Sequence, residues 1–280
     1  MPEPEVARPG DRDRTERISR RTLLRAGATV PLLLSAAACA RDPAGEYATT
    51  AIEVRGSAGA PTPSPTPTTF PVQQKAIYTL AEYAARTPGA QPFAAKAIAL
   101  TLDDGPHAVW TPKMLRLLKQ LDIHATFFMI GVQAKGHPDL IKAIHDGGHA
   151  LGNHTYNHLE TLPHLSVPNI RQQIVATQDA VFKACGAYPR VFFRAPGGNW
   201  GPPVFAEVAA AGMMPIHWQT DTNDWTRPGT SSIERRVAGA PVGSIVLCHD
   251  GGGDRSETIA ALTQAVPALK ARGYQFVTLA

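Results

Sequence analysis

Residues 101–106 read TLDDGP and end the apolar run AIAL at 97–100. Two adjacent carboxylates raise each other's pKa, so the pair is costly unless a cation or a proton neutralises it. Side chains alternate along a strand, so Asp103 and Asp104 are expected to set out in different directions. A second cluster, NHTYNH at 153–158, puts His154 and His158 four apart. On a helix that spacing brings both rings to one face, where they can share a metal. Ten histidines make one such pair weak evidence, and His145 and His149 repeat the spacing. That second pair encloses Asp146-Gly147-Gly148, which breaks the helix needed to align it and reads as a turn. Two His and one carboxylate from TLDDGP leave a fourth position open, as in catalytic zinc sites, and the other Asp is then free to act as base. The plain alternative for TLDDGP is a capped turn before Gly-Pro.

Other chemistry-bearing residues follow downstream. RAPGG (194–198) supplies Arg194, which either pairs with a surface acid or holds a working carboxylate ionised and oriented. His249 follows the apolar run SIVLC (244–248) and has no partner at ligand spacing, which suits a general acid or a structural histidine. HDGGGD (249–254) is glycine-rich but lacks the Lys and Ser/Thr of a phosphate loop, so phosphate binding is set aside.

The elements that must position these residues alternate. Thr111 and Pro112 suit a helix start, and Met114, Leu117, Leu118 and Leu121 fall on one face. ATFFMI (125–130) reads as a strand buried on both faces. Helices are expected near 138–146, 169–184, 203–211, 232–237 and 256–271. Strands are expected at 149–153, 191–193, 214–218, 244–248 and 274–279. Such alternation predicts a parallel α/β domain over 95–280. TLDDGP, NHTYNH, RAPGG, DTNDW and HD each follow an expected strand, and active sites gather at the C-terminal ends of strands in barrels and open α/β sheets alike.

TLDDGP, NHTYNH, FRAPGG, DTNDW and VLCHD in this order resemble the five motifs of polysaccharide deacetylases, the nodulation-protein-B-like domain of carbohydrate esterase family four. The resemblance implies a distorted (β/α) barrel of seven to eight strands. It implies Asp103 as general base, Asp104, His154 and His158 as ligands of zinc (or cobalt or nickel), and Arg194 as the group that positions Asp103. His249 would be the general acid held by Asp224, with Trp225 and Leu247 lining a pocket for the acetyl methyl and a main-chain N–H near Gly197 serving the oxyanion. Two departures stand out: Leu102 replaces a usual Phe, and Gly197 stands where Tyr is common, which points to a wider groove. The implied activity is N-deacetylation of N-acetylglucosamine-type units in peptidoglycan, chitin or a related glycan. O-acetyl ester hydrolysis on an acetylxylan-type polymer and an inactive, tethered glycan-binding protein are the alternatives.

The front of the chain reads as a leader. SRRTLLR (19–25) is a twin-arginine pattern before the uncharged AGATVPLLLSAAACA (26–40), too short to span a bilayer comfortably. We therefore expect a signal peptide over 1–39, a Pro/Thr-rich linker over 40–71, a segment at 72–94 and the deacetylase domain at 95–280. The product is expected outside the cytoplasm, as a monomer. Cys39 leaves two outcomes open, lipid anchoring or simple cleavage, since Ala36 departs from the usual lipoprotein box. Half of the net charge of +4 lies in residues 1–38, which carry seven Arg and five acids. What remains is too little to argue for a nucleic-acid partner. Cys185 and Cys248 are an even pair that either bridges or stays as two thiols.

Overall fold

The computed structural model describes residues 71–279 apart from 88 and 190–191, so the leader, the linker and Cys39 lie outside the described residues. Its helices are α1 Leu80–Arg86, α2 Trp110–Gln120, α3 Gly131–Gly136, α4 Pro138–Asp146, α5 Val167–Cys185, α6 Pro202–Ala210, α7 Thr230–Ala238 and α8 Ser256–Ala271. The strands are β1 Ala97–Asp103, β2 Thr126–Met129, β3 Ala150–Asn153, β4 Phe192–Phe193, β5 Met214–Pro215, β6 Thr220–Asp221, β7 Ile245–His249 and β8 Gln275–Phe276. Every named pairing is parallel, in the order β5-β4-β3-β2-β1-β7-β6, with β8 beside the start of β1. This is the expected distorted (β/α) barrel. No helix among the described residues is long and apolar enough to cross a membrane.

Period-two alternation sorts the strands into two faces. Ile98, Leu100 and Leu102 of β1, Phe127 and Met129 of β2, and Val246 and Cys248 of β7 pack outward against Met114, Leu117 and Leu118 of α2 and against Ile233, Leu262 and Leu269. Inside, Ala97 and Ala99 share a second core with Phe128, Phe192, Met214 and Ile245. The inward set of β1 therefore continues as Thr101 and Asp103, both buried, and that of β7 ends on His249. Small alanines low in the barrel leave room for Phe128, and polar residues take over at the C-terminal mouth. Burying a Phe of this kind contributes about 1.5–3 kcal/mol.

The two edges of the sheet, β5 and β6, do not pair with each other. The segment before α1 instead links the end of β5 to the start of β7: Ile77 bridges Ile216 in parallel and Thr79 bridges Ser244 in antiparallel fashion. Main-chain bonds Ile77 N–H to Pro215 O, His217 N–H to Ile77 O and Leu80 N–H to Gly243 O fasten this seam.

Several expectations need correction. DTNDW does not follow the strand at 214–215; a separate short strand, β6, intervenes and contains its first Asp, Asp221. Helix α3 was not expected, because GVQAKG is bounded by glycines. Of the two outcomes left open for the cysteines, the structure has the free thiols: Cys185 is the last residue of α5, and Cys248 sits inside β7.

Candidate active site

The parallel register sets Asp103 of β1 directly beside His249 of β7, and Leu102 beside Cys248. On the other side of β1, Asp103 pairs with Phe128, and Asn153 at the end of β3 pairs with Phe193. His154 and Arg194 are the next residues on their strands, so both arrive at the same rim.

The Asp pair behaves differently from a plain strand. β1 ends at Asp103, and Asp104 adopts φ +72, a left-handed turn that few non-glycine residues take. The turn redirects the second carboxylate into the same cleft: Asp103 Oδ2 lies 3.7 Å and Asp104 Oδ1 3.6 Å from His154 Nε2. The two acids converge instead of pointing apart. Likewise, His154 and His158 are not on a helix. They sit in a turn with Thr155 and His158 at positive φ, where Thr155 N–H bonds the Asn153 side chain and His158 N–H bonds Thr155 Oγ1. Their rings end 4.9 Å apart, so ligand spacing is reached by a strained loop.

Asp104, His154 and His158 offer ligand atoms that all lie within 4.8 Å of one another. His158 Nε2 is 3.3 Å from Asp104 Oδ1. His154 Nδ1 is 2.8 Å from the Arg194 carbonyl, which fixes the proton on Nδ1 and leaves the Nε2 lone pair facing Asp104. Burial, then the neighbouring His158, lowers the His154 pKa to about 3, keeping the ring neutral as a ligand must be. Asp104 Oδ1 is buried and has no hydrogen-bond partner. An orphaned carboxylate oxygen beside two imidazole nitrogens fits a divalent cation, and the two-His, one-carboxylate set suits zinc.

Behind this cluster, Arg194 is fully buried. Its Nη1 donates to Asp103 Oδ1 at 2.6 Å and Thr101 Oγ1 at 2.8 Å, its Nη2 donates to the His217 carbonyl, and its plane lies 4.0 Å from the Phe128 ring centroid. Burial raises the Asp103 pKa above the ordinary carboxylate value, while the Arg194 charge and hydrogen bond pull it back. The net direction is upward, so the Asp103 carboxylate is more basic than an ordinary one.

On the opposite wall, His249 Nδ1 meets Asp224 Oδ1 at 2.6 Å, and the His249 main-chain N–H donates to Asp224 Oδ2 at 2.9 Å. Thr258 Oγ1 donates to the same oxygen at 2.8 Å. Burial alone would lower the His249 pKa, but the Asp224 hydrogen bond and charge, with Asp104 and Asp103 beyond, raise it to about 9. Nε2 is left for the cleft. A cavity of about 320 Å³ connects these groups and is lined also by Gly197, Trp218, Trp225, Leu247 and Glu160. Leu247 is buried, whereas Trp225 is 58% exposed and forms an open lip. Gly197 has φ +60, and a Cβ there would approach Asn199 Nδ2 to 2.9 Å, so the turn itself favours glycine at this position. Two larger grooves of about 520 Å³ lie near His124, before β2 and β3, away from the Asp104, His154 and His158 cluster.

All the residues singled out from sequence for chemistry meet at this one mouth. Thr101, Thr258 and the His217 carbonyl were not foreseen. Asp250 was also missed: it is fully buried, accepts a hydrogen bond from Thr111 Oγ1, and burial followed by the charges of Asp104 and Asp103 raises its pKa to about 7. Its position directly after His249 was the only available signal.

Comparison with known proteins agrees with the geometry. A family model described as polysaccharide deacetylase matches residues 90–216. A peptidoglycan-N-acetylglucosamine deacetylase of Bacillus cereus is 42% identical over 187 residues, 66% of this chain and 86% of the relative. A chitooligosaccharide deacetylase of Sinorhizobium fredii is 38% identical over 194 residues, 64% of this chain and 88% of the relative. The crystal structure of the Bc1960 peptidoglycan N-acetylglucosamine deacetylase superposes with a TM-score of 0.64 at 35% identity, covering 67% of this chain and 88% of that one. BA3943 of Bacillus anthracis, a CE4-family pseudoenzyme, superposes at 0.61 and 32% identity, covering 65% and 63%. Fold alone therefore does not establish turnover, and the residues at the site must carry that argument. The chain belongs to the polysaccharide deacetylase family.

Proposed function

We propose that the chain hydrolyses the acetamide of N-acetylglucosamine-type units in a glycan, releasing acetate and leaving a free amine. The observation that carries this reading is the placement of a base and an acid on register-paired residues of adjacent strands, Asp103 and His249, beside a two-His, one-Asp cluster. Asp104, His154 and His158 would hold a divalent ion, zinc first and cobalt or nickel after it, which when bound would supply Lewis-acid polarisation of the acetyl carbonyl and acidify water. Asp103 removes a proton from the attacking water, and Arg194 keeps that carboxylate ionised and aimed. The Gly197 main chain lines the cleft and is the candidate donor to the developing oxyanion. His249 delivers a proton to the departing nitrogen, with Asp224 holding the imidazolium, while Leu247 and Trp225 enclose the methyl.

The raised His249 pKa favours amide over ester as substrate. An amine leaving group must be protonated as the C–N bond breaks, and a ring titrating near 9 carries that proton at neutral pH. An alcohol leaving group needs it far less. The leader read at 19–40 would place the activity outside the cytoplasm. Acetate release from chitooligosaccharides, peptidoglycan glycan strands and acetylxylan tests the reading, with Asp103→Asn as control. Release from the two amide substrates and none from Asp103→Asn is expected. Release from acetylxylan alone would transfer the function to ester hydrolysis, and release from none would make the chain a binding protein.

A further inference from the structure

Arg255 stands at the end of the HDGGGD turn, immediately before α8, and takes no part in the chemistry above. It is 3% exposed, and among the described residues no carboxylate forms an ion pair with it. A buried guanidinium with no carboxylate in ion-pair contact is costly even though its charge reaches the neighbouring Asp254, so main-chain contacts hold the position. Nε donates to the Gly251 carbonyl at 2.6 Å and Nη1 to the Asp224 carbonyl at 3.4 Å. Nη2 lies against the turn, 3.4 Å and 3.3 Å from where side chains on Gly252 and Gly253 would begin.

That turn lies directly on the carboxylate pair. A Cβ on Gly251 would collide with the Asp104 carbonyl, and one on Gly252 would stand 2.5 Å from Asp104 Oδ2. Gly252 and Gly253 also adopt φ +70 and +149, conformations that glycine tolerates. The same guanidinium thus touches the main chain of Asp224, whose carboxylate orients His249, and the turn that walls Asp104. Arginine does this with a rigid planar fork, whereas lysine presents a single nitrogen.

We propose that Arg255 is a positioning residue that holds the His249–Asp224 acid in register with the Asp103–Asp104 carboxylates by fixing the turn between them. The proposal rests on the deacetylase reading for its kinetic consequence and on geometry alone for its structural one. The test uses Arg255→Gln and Arg255→Lys in the full chain loaded with zinc, assayed on a chitooligosaccharide. A small displacement of catalytic groups costs about 10- to 100-fold in rate, so kcat should fall by that factor with KM within about twofold and zinc content unchanged. Guanidinium ion added below denaturing concentration should partly rescue Arg255→Gln, because Arg255 borders the open cleft. The second readout is the far-downfield proton NMR signal of His249 Nδ1–H, assigned by its loss in His249→Gln. It should be sharp in the wild type and broadened or lost in both variants.

The proposal is overturned if Arg255→Gln keeps kcat within about threefold of wild type, if the loss lies in KM alone, or if the downfield proton persists unchanged. Should Arg255→Gln fail to fold, Arg255→Lys, which keeps charge and bulk, decides by the same criteria. A wild type that releases no acetate would sink the deacetylase reading, while the NMR comparison would still decide the role of Arg255.

Discussion

Replacing Asp224 by Asn isolates the acid half of the site. The substitution preserves shape but removes the charge that Asp224 places 2.6 Å from His249 Nδ1. With Asp224 ionised, the imidazolium titrates near 9 against an ordinary value of 6.5, despite burial. That net rise of two and a half units, about 3 kcal/mol, is what Asp224, with Asp104 and Asp103 beyond, leaves after the opposing effect of burial. Without that charge only Asp104 and Asp103 oppose burial, so the pKa falls and a smaller share of the enzyme holds at pH 7.5 the proton its leaving group needs. Loss of the correct tautomer adds to this, and kcat/KM should drop by about 10²- to 10³-fold. The assay is acetate release from a chitooligosaccharide between pH 5 and 10 at fixed zinc occupancy. The informative quantity is the displacement between the two proteins: the alkaline limb of the profile should move to lower pH in Asp224→Asn by about two units or more. An alkaline limb at the same pH in both proteins, or kcat/KM within about threefold, would refute the acid role of His249 and its dependence on Asp224. The same interaction acts on stability. Because the folded-state pKa is raised, its contribution is full below pH 6.5 and is lost as pH rises through about 9. Denaturant midpoints of the wild type should fall across that window more steeply than those of Asp224→Asn.

Three further outcomes are expected. Arg194→Met leaves Asp103 buried without its cation and should cost about 3–5 kcal/mol in urea unfolding at pH 7; a cost below about 1 kcal/mol would show that Thr101 and water suffice. Asp104→Asn and His154→Ala should lower zinc affinity in calorimetric titration at least about tenfold, while Asp103→Asn, whose carboxylate is tied to Arg194, should bind zinc within about threefold of wild type. Equal loss in all three would merge the roles of the two acids. Gly105→Ala would place a Cβ 2.5 Å from Asp250 Oδ1 and should destabilise by about 1–3 kcal/mol, with Asp250→Ser in the same chain recovering part of it. A cost near zero would show that Asp250 moves freely.

What the sequence made legible followed from periodicity and from chemistry at strand ends. Met114, Leu117 and Leu118 sit on the buried face that their spacing predicts, and TFFM is buried throughout. Asp103, Asp104, His154, His158, Arg194 and His249 converge because strand ends converge in a parallel barrel. The misread features are those where a local turn overrides the regular period. His154 and His158 reach each other through positive φ at Thr155 and His158, a conformation no helical template contains. Asp104 turns left-handed and so abolishes the alternation that would have separated it from Asp103. Thr258 and Arg255 touch Asp224 across the whole of α7 and β7. Contacts set by tertiary packing leave no pattern in the residues between them.

The seam between β5 and β7 bears on time as well as on shape. Residues 77–80 bond Pro215, His217 and Gly243, partners that lie across most of the domain's length. In vectorial synthesis this segment emerges before any of them and must wait for all of them. Contacts of such separation form late and slowly, because the intervening chain must first be ordered. Among the described residues, this seam can therefore close only after Gly243 has been made, and the pairing of β8 with β1 must wait longer still.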